Sequence, residues 1–269
     1  MLDLPLIVEP EELEAVLGQP GLLVVDLSRQ STHAQFHLPG AVFLEYASII
    51  RPQPPAMGML PDSAHLERVL SAIGIGPDSH VVAYDDEGGG KAARLLFTLD
   101  VMGHTRYSLL NGGLHAWANE GHTLGKQIVQ PQAARFEAHP DPAPLADKAY
   151  ILERLGSPDL ALVDTRNDQE YSGARRFAQK AGHIPGAVHW EWTQSMDMNR
   201  NLRLKPAEQL RAGLAALGVT TDREAVVYCQ THHRAAHTYI TLKALGFPRV
   251  KGYPGAWSEW GNSPDTPVE

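Results

Sequence analysis

Cysteine is almost missing: Cys229 is the single thiol among 269 residues. One thiol cannot close an intramolecular disulfide, so the core must hold the fold, and the composition suits a reducing compartment. Long apolar runs are missing too. The N-terminus, MLDLPLIVEP, has no basic leader region and no stretch able to span a bilayer, so the expectation is a cytoplasmic protein without signal or membrane span. Positive charge is in short supply. A net charge of −8 argues against general binding to nucleic acid or acidic membranes, while leaving room for a local basic pocket. Proline (20) and glycine (24) are plentiful but scattered, as in a loop-rich globular chain with an ordinary core.

What the sequence does contain, it contains twice. VVDLSRQ leads to HLPGAVFLEY in the first half, and LVDTRND leads to HIPGAVHWEW in the second. VVAYDDEGGGKAARLLFTLDVMGH then matches VVYCQTHHRAAHTYITLKALGF, and each copy closes on a glycine–tryptophan segment, LLNGGLHAW or VKGYPGAWSEW. In each copy a short apolar run ends in Asp26 or Asp164 and reads as a buried parallel strand. A helix-period stretch follows, then a second strand that runs into a loop and another helix. This grammar predicts an α/β fold of two tandem domains, each a mainly parallel sheet flanked by helices. The boundaries fall at 1–125 and 148–269, joined by a Pro-, Ala- and Gln-rich linker over 126–147. The His-x-Pro-Gly-Ala segments read as turns whose histidines satisfy local backbone groups.

Chemistry is expected where α/β sheets collect ligands, at the carboxyl ends of strands. There the strand AVVY runs into Cys229-Gln230-Thr231-His232-His233-Arg234, and a helix starts near Arg234. A loop wrapped before a helix N-terminus aims several N–H groups at one point and favours an anion, here the thiolate. Arg234 adds a permanent cation able to bind an oxyanion bidentately. A reactive thiolate beside an anion site fits nucleophilic attack on an anionic substrate.

The duplicated α/β repeats, the His-x-Pro-Gly-Ala turn in each, the loop cysteine after a strand and the closing Gly-x-x-x-x-Trp segment together resemble the tandem-domain rhodaneses, over nearly the whole chain. The loop CQTHHR is similar to that of a bacterial thiosulfate sulfurtransferase group. The resemblance implies that Cys229 takes sulfane sulfur from thiosulfate, releases sulfite, and passes the sulfur to cyanide or to a thiol or protein acceptor. Gln230, Thr231, His232, His233 and Arg234 would bind substrate around it. It implies a covalent persulfide intermediate with no separate cofactor or metal, and a monomer. Asp85 aligns with Cys229, so the first domain is expected to be non-catalytic and to cover the pocket. Its loop, DDEGGGKAAR, reads as acidic and glycine-rich, a poor anion cradle without a counterpart of Arg234.

Four other readings were weighed. Rhodanese-like phosphatases resemble Cys-x5-Arg in their loop, whereas four residues separate Cys229 from Arg234 here, a ring better sized for one sulfur atom. A 3-mercaptopyruvate sulfurtransferase would resemble this chain in fold but would hold the substrate carboxylate with an arginine where Glu170 stands. Arg175 and Arg176, in an insertion that the first repeat lacks, either reach the pocket or are solvated loop residues, the latter being favoured. Cys229, His232, His233 and His237 could suggest a metal, but loop amides that point inward would turn His232 and His233 outward to the rim. A non-catalytic binding module is disfavoured by the retained Cys229 and Arg234. Trp190, Trp192, Trp257 and Trp260 read mostly as packing, with Trp257 nearest the pocket rim.

Overall fold

A computed structural model describes residues 2–269. The first repeat runs through β1 (Ile7–Val8), α1 (Pro10–Glu14), β2 (Leu22–Asp26), α2 (Gln30–Gln35), β3 (Val42–Phe43) and a hairpin of β4 (Arg51–Gln53) and β5 (Ala56–Met59). It continues with α3 (Ser63–Ala72), β6 (His80–Tyr84), α4 (Gly90–Val101), β7 (Tyr107–Leu110) and α5 (Gly113–Asn119). The second repeat follows the same plan with α6 (Lys148–Arg154), β8 (Leu160–Asp164), α7 (Asp168–Tyr171), β9 (Val188–His189) and a hairpin of β10 (Met196–Asp197) and β11 (Arg203–Leu204). Then come α8 (Ala207–Ala216), β12 (Glu224–Tyr228), α9 (His233–Ala244), β13 (Val250–Gly252) and α10 (Ala256–Trp260).

The main sheets are parallel throughout, ordered β1-β7-β6-β2-β3 and β13-β12-β8-β9. The α/β architecture expected from the alternation is therefore the one observed. HVVAY of β6 and EAVVY of β12 are buried along their whole length because helices cover both sheet faces. Val24, Val82, Tyr84, Leu110 and Trp117 centre one core; Leu162, Val226, Tyr228, Trp257 and Trp260 centre the other. Each fully buried aliphatic side chain among them contributes about 1.5–3 kcal/mol. Among the described residues, no helix is long and apolar enough to cross a membrane.

The histidines of the two duplicated turns do hold backbone. His37 Nδ1 lies 2.7 Å from His33 O and its Nε2 3.1 Å from Gln127 O, and His183 Nδ1 lies 3.0 Å from Tyr171 O.

Two compact units emerge, and they do not follow the repeats end to end. Unit 1 holds the chain up to Ile49, Pro61–Asp141 and the second repeat's hairpin, Met196–Leu204. Unit 2 holds the first repeat's hairpin, Ile50–Leu60, with Pro142–Ser195 and Lys205–Glu269. Each hairpin thus belongs to the unit built from the other repeat, an exchange of which boundaries drawn along the chain give no sign. Residues 126–141 have no helix or strand but are tied to unit 1, with Ala134 N–H donating to Ser71 O and His139 N–H to Met102 O.

Candidate active site

In unit 2, β12 lies inside its sheet and delivers Cys229 to the carboxyl edge, fully buried. The strand end is fixed first. Thr165 N–H and Oγ1–H both donate to Tyr228 O, at 2.9 and 3.1 Å, and Tyr253 N–H donates to Val227 O. The loop is fixed next, from outside: Trp257 N–H donates to Cys229 O at 2.9 Å and Ser258 N–H to Gln230 O at 3.1 Å. A trans peptide points its N–H opposite its carbonyl. Anchoring these two carbonyls on α10 therefore turns the N–H groups of Gln230 and Thr231 away from α10, toward the inside of the loop.

The loop closes on α9, whose N-cap is His232 at φ 64°, ψ 20°, with no side-chain cap. A helix N-terminus whose N-cap side chain accepts none of its amides is, with the helix dipole, suited to an anion. A left-handed conformation costs a non-glycine residue roughly 1–2 kcal/mol. Ala256, the first residue of α10, is left-handed too, at φ 55°. In the first repeat the corresponding places, the N-cap of α4 and the start of α5, are Gly89 and Gly113. Unit 2 thus keeps two strained residues where unit 1 has glycine, the kind of cost borne at functional sites.

Arg234 sits between two partners. Its Nη1 lies 2.6 Å from Glu170 Oε2 and its Nη2 3.0 Å from Oε1. Burial lowers the guanidinium's pKa, but the hydrogen bonds and charges of Glu170 and Cys229 outweigh that and leave it raised. Burial likewise raises Glu170, and Arg234 with Arg166 more than reverses it, so its carboxyl stays below the ordinary range. Arg234 is therefore a cation already paired with a buried carboxylate. A second pair, Arg166 with Asp164 at 2.6 Å, is almost fully buried, and Arg166 lies 4.4 Å over the Trp257 ring. With both arginines neutralised, the attraction for an anion falls mainly to the loop amides and the α9 dipole. Neither Arg166 nor the pairing of Glu170 with Arg234 was expected from the sequence; only Arg166, two residues from Asp164, offered a local signal.

The remaining predicted residues separate. Gln230 and Thr231 are half-buried in the loop. His232 is fully buried rather than at the rim, on a left-handed backbone. His233 is half-buried, 5.9 Å from the Trp192 ring, and His237 is buried 5.5 Å from the same ring, edge-on. Burial and the charge of His233 push His237 down to about 4. Trp257 is a core residue, not a rim residue. Arg175 and Arg176 are exposed; the first stacks on Phe177 and the second reaches Gln179 O. Among the described residues, Cys229, His232, His233 and His237 form no ligand cluster; the carboxylate–histidine group that does form, Glu11, Glu120 and His122, lies in unit 1 and Arg203 bonds both its glutamates.

The corresponding loop of unit 1 corrects an expectation. Asp85 is no bystander beside a poor cradle: its own carboxylate fills one. Oδ1 accepts from Glu87 N–H at 3.0 Å and Gly89 N–H at 2.8 Å, and Oδ2 accepts from Ala92 N–H at 2.9 Å. Burial and the Glu87 charge push the carboxyl up, and the three amides oppose them. Matching N-caps also supplies the counterpart thought missing: Lys91 is the second residue of α4, as Arg234 is of α9. Lys91 pairs with Asp86 and Glu87. Five residues separate Asp85 from Lys91, against four between Cys229 and Arg234. The alternation of backbone anchors is shared, since Leu114 N–H donates to Asp85 O as Trp257 does to Cys229 O.

Comparisons with known proteins point to one family. The Rhodanese-like domain model matches twice, at residues 9–120 and 147–263. A thiosulfate sulfurtransferase of Pseudomonas aeruginosa is 47% identical over 267 residues, 99% of this chain and 98% of that protein. A probable 3-mercaptopyruvate sulfurtransferase of the same species is 36% identical over 276 residues, 96% of this chain and 95% of that protein. An anaerobic ergothioneine biosynthesis enzyme from Chlorobium limicola, solved with trimethyl histidine, shares the fold at a TM-score of 0.88 and 24% identity, over 98% of this chain and 70% of that one. With two matching domains, full-length relatives and a loop cysteine built into the second repeat, the chain belongs to the rhodanese family.

Proposed function

We propose that this chain is a thiosulfate sulfurtransferase that carries the sulfur on Cys229. The thiolate attacks the outer sulfur of thiosulfate; the S–S bond breaks and sulfite leaves with its electron pair, so Cys229 becomes a persulfide. Cyanide, or a thiol or protein acceptor, then attacks the terminal sulfur, giving thiocyanate or a new persulfide and restoring the thiolate. The cysteine is itself the carrier, so the cycle needs no resident cofactor or metal. The supporting observation is the buried Cys229 just before the N-terminus of α9, with its own and the next carbonyl anchored on α10.

Donor choice follows from Glu170. A carboxylate substrate needs a free cation, and the arginine nearest to Cys229 is already held bidentately by a buried carboxylate. Thiosulfate reacts at a sulfur that the amides can hold, and is favoured over 3-mercaptopyruvate. Intact-protein mass spectrometry is the test. Thiosulfate should add one sulfur atom to the wild type and cyanide should remove it; a Cys229→Ala protein that still gains and loses sulfur would end the proposal.

A further inference from the structure

Cys229 O and Gln230 O are anchored by α10, and the next carbonyl in the loop is met by the hairpin of the first repeat that belongs to unit 2. Gly58, buried in β5, lies against it: a β-carbon built on Gly58 would stand 2.2 Å from Thr231 O, 2.6 Å from Thr231 C and 2.8 Å from Pro254 O. All three are backbone atoms, so nothing can swing aside as a flexible side chain would. Gly58 has no left-handed φ, in contrast to the chain's many positive-φ glycines, so space and not conformation selects glycine here. The hairpin is also tied to the loop through Ser258. Its Oγ accepts Met57 N–H at 3.0 Å, and its own N–H donates to Gln230 O.

From this geometry we infer that Gly58 is a positioning residue for sulfur transfer: β5 presses on the Thr231–His232 peptide and so aims the His232 N–H at the Cys229 sulfur. The reason is the planar trans peptide, in which the carbonyl facing β5 turns the N–H the opposite way, into the loop. The strained left-handed His232 is the residue that this pressure holds in place. Three successive carbonyls are then fixed outward, two by hydrogen bonds and one by contact, and three successive N–H groups are left facing one sulfur. Part of the cradle's alignment thus comes from the first repeat's sequence, where no motif marks it.

This inference rests on reading Cys229 as the sulfur carrier, so sulfur loading of the wild type by mass spectrometry comes first. Failure there overturns that reading and this inference with it, before any variant is compared. Given a loading wild type, Gly58→Ala should lower kcat by about a hundredfold, the usual consequence of an approximately 1 Å misplacement. KM for thiosulfate should change far less. The pH midpoint for alkylation of Cys229 by iodoacetamide should move upward, because the thiolate loses an N–H donor. A change confined to packing would lower Tm without moving that midpoint. Ser258→Ala is the milder companion: it releases Met57 N–H, keeps the N–H to Gln230 O, and should shift kcat and midpoint in the same directions by a smaller factor. A folded Gly58→Ala with wild-type kcat and midpoint overturns the inference. So does a Gly58→Ala that fails to fold together with a Ser258→Ala that keeps both at wild-type values.

Discussion

Glu170 and Arg234 form a two-pronged ion pair beside Cys229, with oxygen–nitrogen distances of 2.6 and 3.0 Å. Breaking one side of a pair whose carboxylate is only 3% exposed leaves an uncompensated buried charge, at a cost of about 3–5 kcal/mol. Arg234→Gln should therefore lower both stability and kcat/KM for thiosulfate. Adding Glu170→Gln should recover most of the stability while leaving activity low, because the guanidinium that reaches Cys229 is still gone. Urea unfolding and steady-state kinetics on the single and double variants separate the two effects; equal recovery of both would mean that Arg234 acts only as a structural partner of Glu170.

The wild type should show a higher kcat/KM for thiosulfate than for 3-mercaptopyruvate. The pairing of Arg234 with Glu170 leaves no free guanidinium there for a substrate carboxylate, and Arg175 and Arg176 lie exposed with partners on their own loop. Parallel assays of the two donors at matched acceptor concentration decide it. A reversed preference would show that one of these arginines leaves its observed partner to bind substrate.

Asp85 fills the ring of amides in unit 1 with its own carboxyl group. Asp85→Ala would strand three amides, two of them buried, each buried one worth about 1–3 kcal/mol when unsatisfied, and should lower Tm markedly. Formate or phosphate should raise the Tm of that variant more than that of the wild type, because the longer ring from Asp85 to Lys91 already holds two oxygens. Asp85→Cys in a Cys229→Ala background should restore little transfer. Its ring is one residue longer, and Lys91 is taken up by Asp86 and Glu87. Differential scanning fluorimetry with added anions checks the first expectation, and a thiocyanate assay the second.

His237 gives the fold an acid-sensitive element. Its folded pKa is about 4, against an ordinary 6.5, so the unfolded chain binds the proton first. The stability tied to neutral His237 is complete above about pH 6.5 and is lost as pH falls toward 4, about 3 kcal/mol in all. His237→Gln should flatten this part of the stability curve. Chemical unfolding at intervals between pH 4 and 7 measures it, and an unchanged slope in the variant would assign the acid sensitivity to other groups.

By itself the sequence determined the duplication, the parallel α/β plan and the position of Cys229, because strand periods, turn residues and a strand-to-helix loop are local features of the chain. Asp164 with Arg166 was within one turn in sequence, but nothing local showed that both would be buried and paired. The other features depend on residues distant in the chain. The pairing of Glu170 with Arg234 joins positions 64 residues apart. The exchange of hairpins brings Gly58 to Thr231, and the carboxylate of Asp85 turns out to fill its own ring of amides. Burial was equally invisible: His232 and Trp257 were expected near the rim, yet both are buried, and a buried arginine packs on the second. Local pattern sets which elements form and where they end. Charge compensation and close backbone contact are settled only when separate elements meet, since the energy of a buried pair or a missing β-carbon depends on what stands opposite.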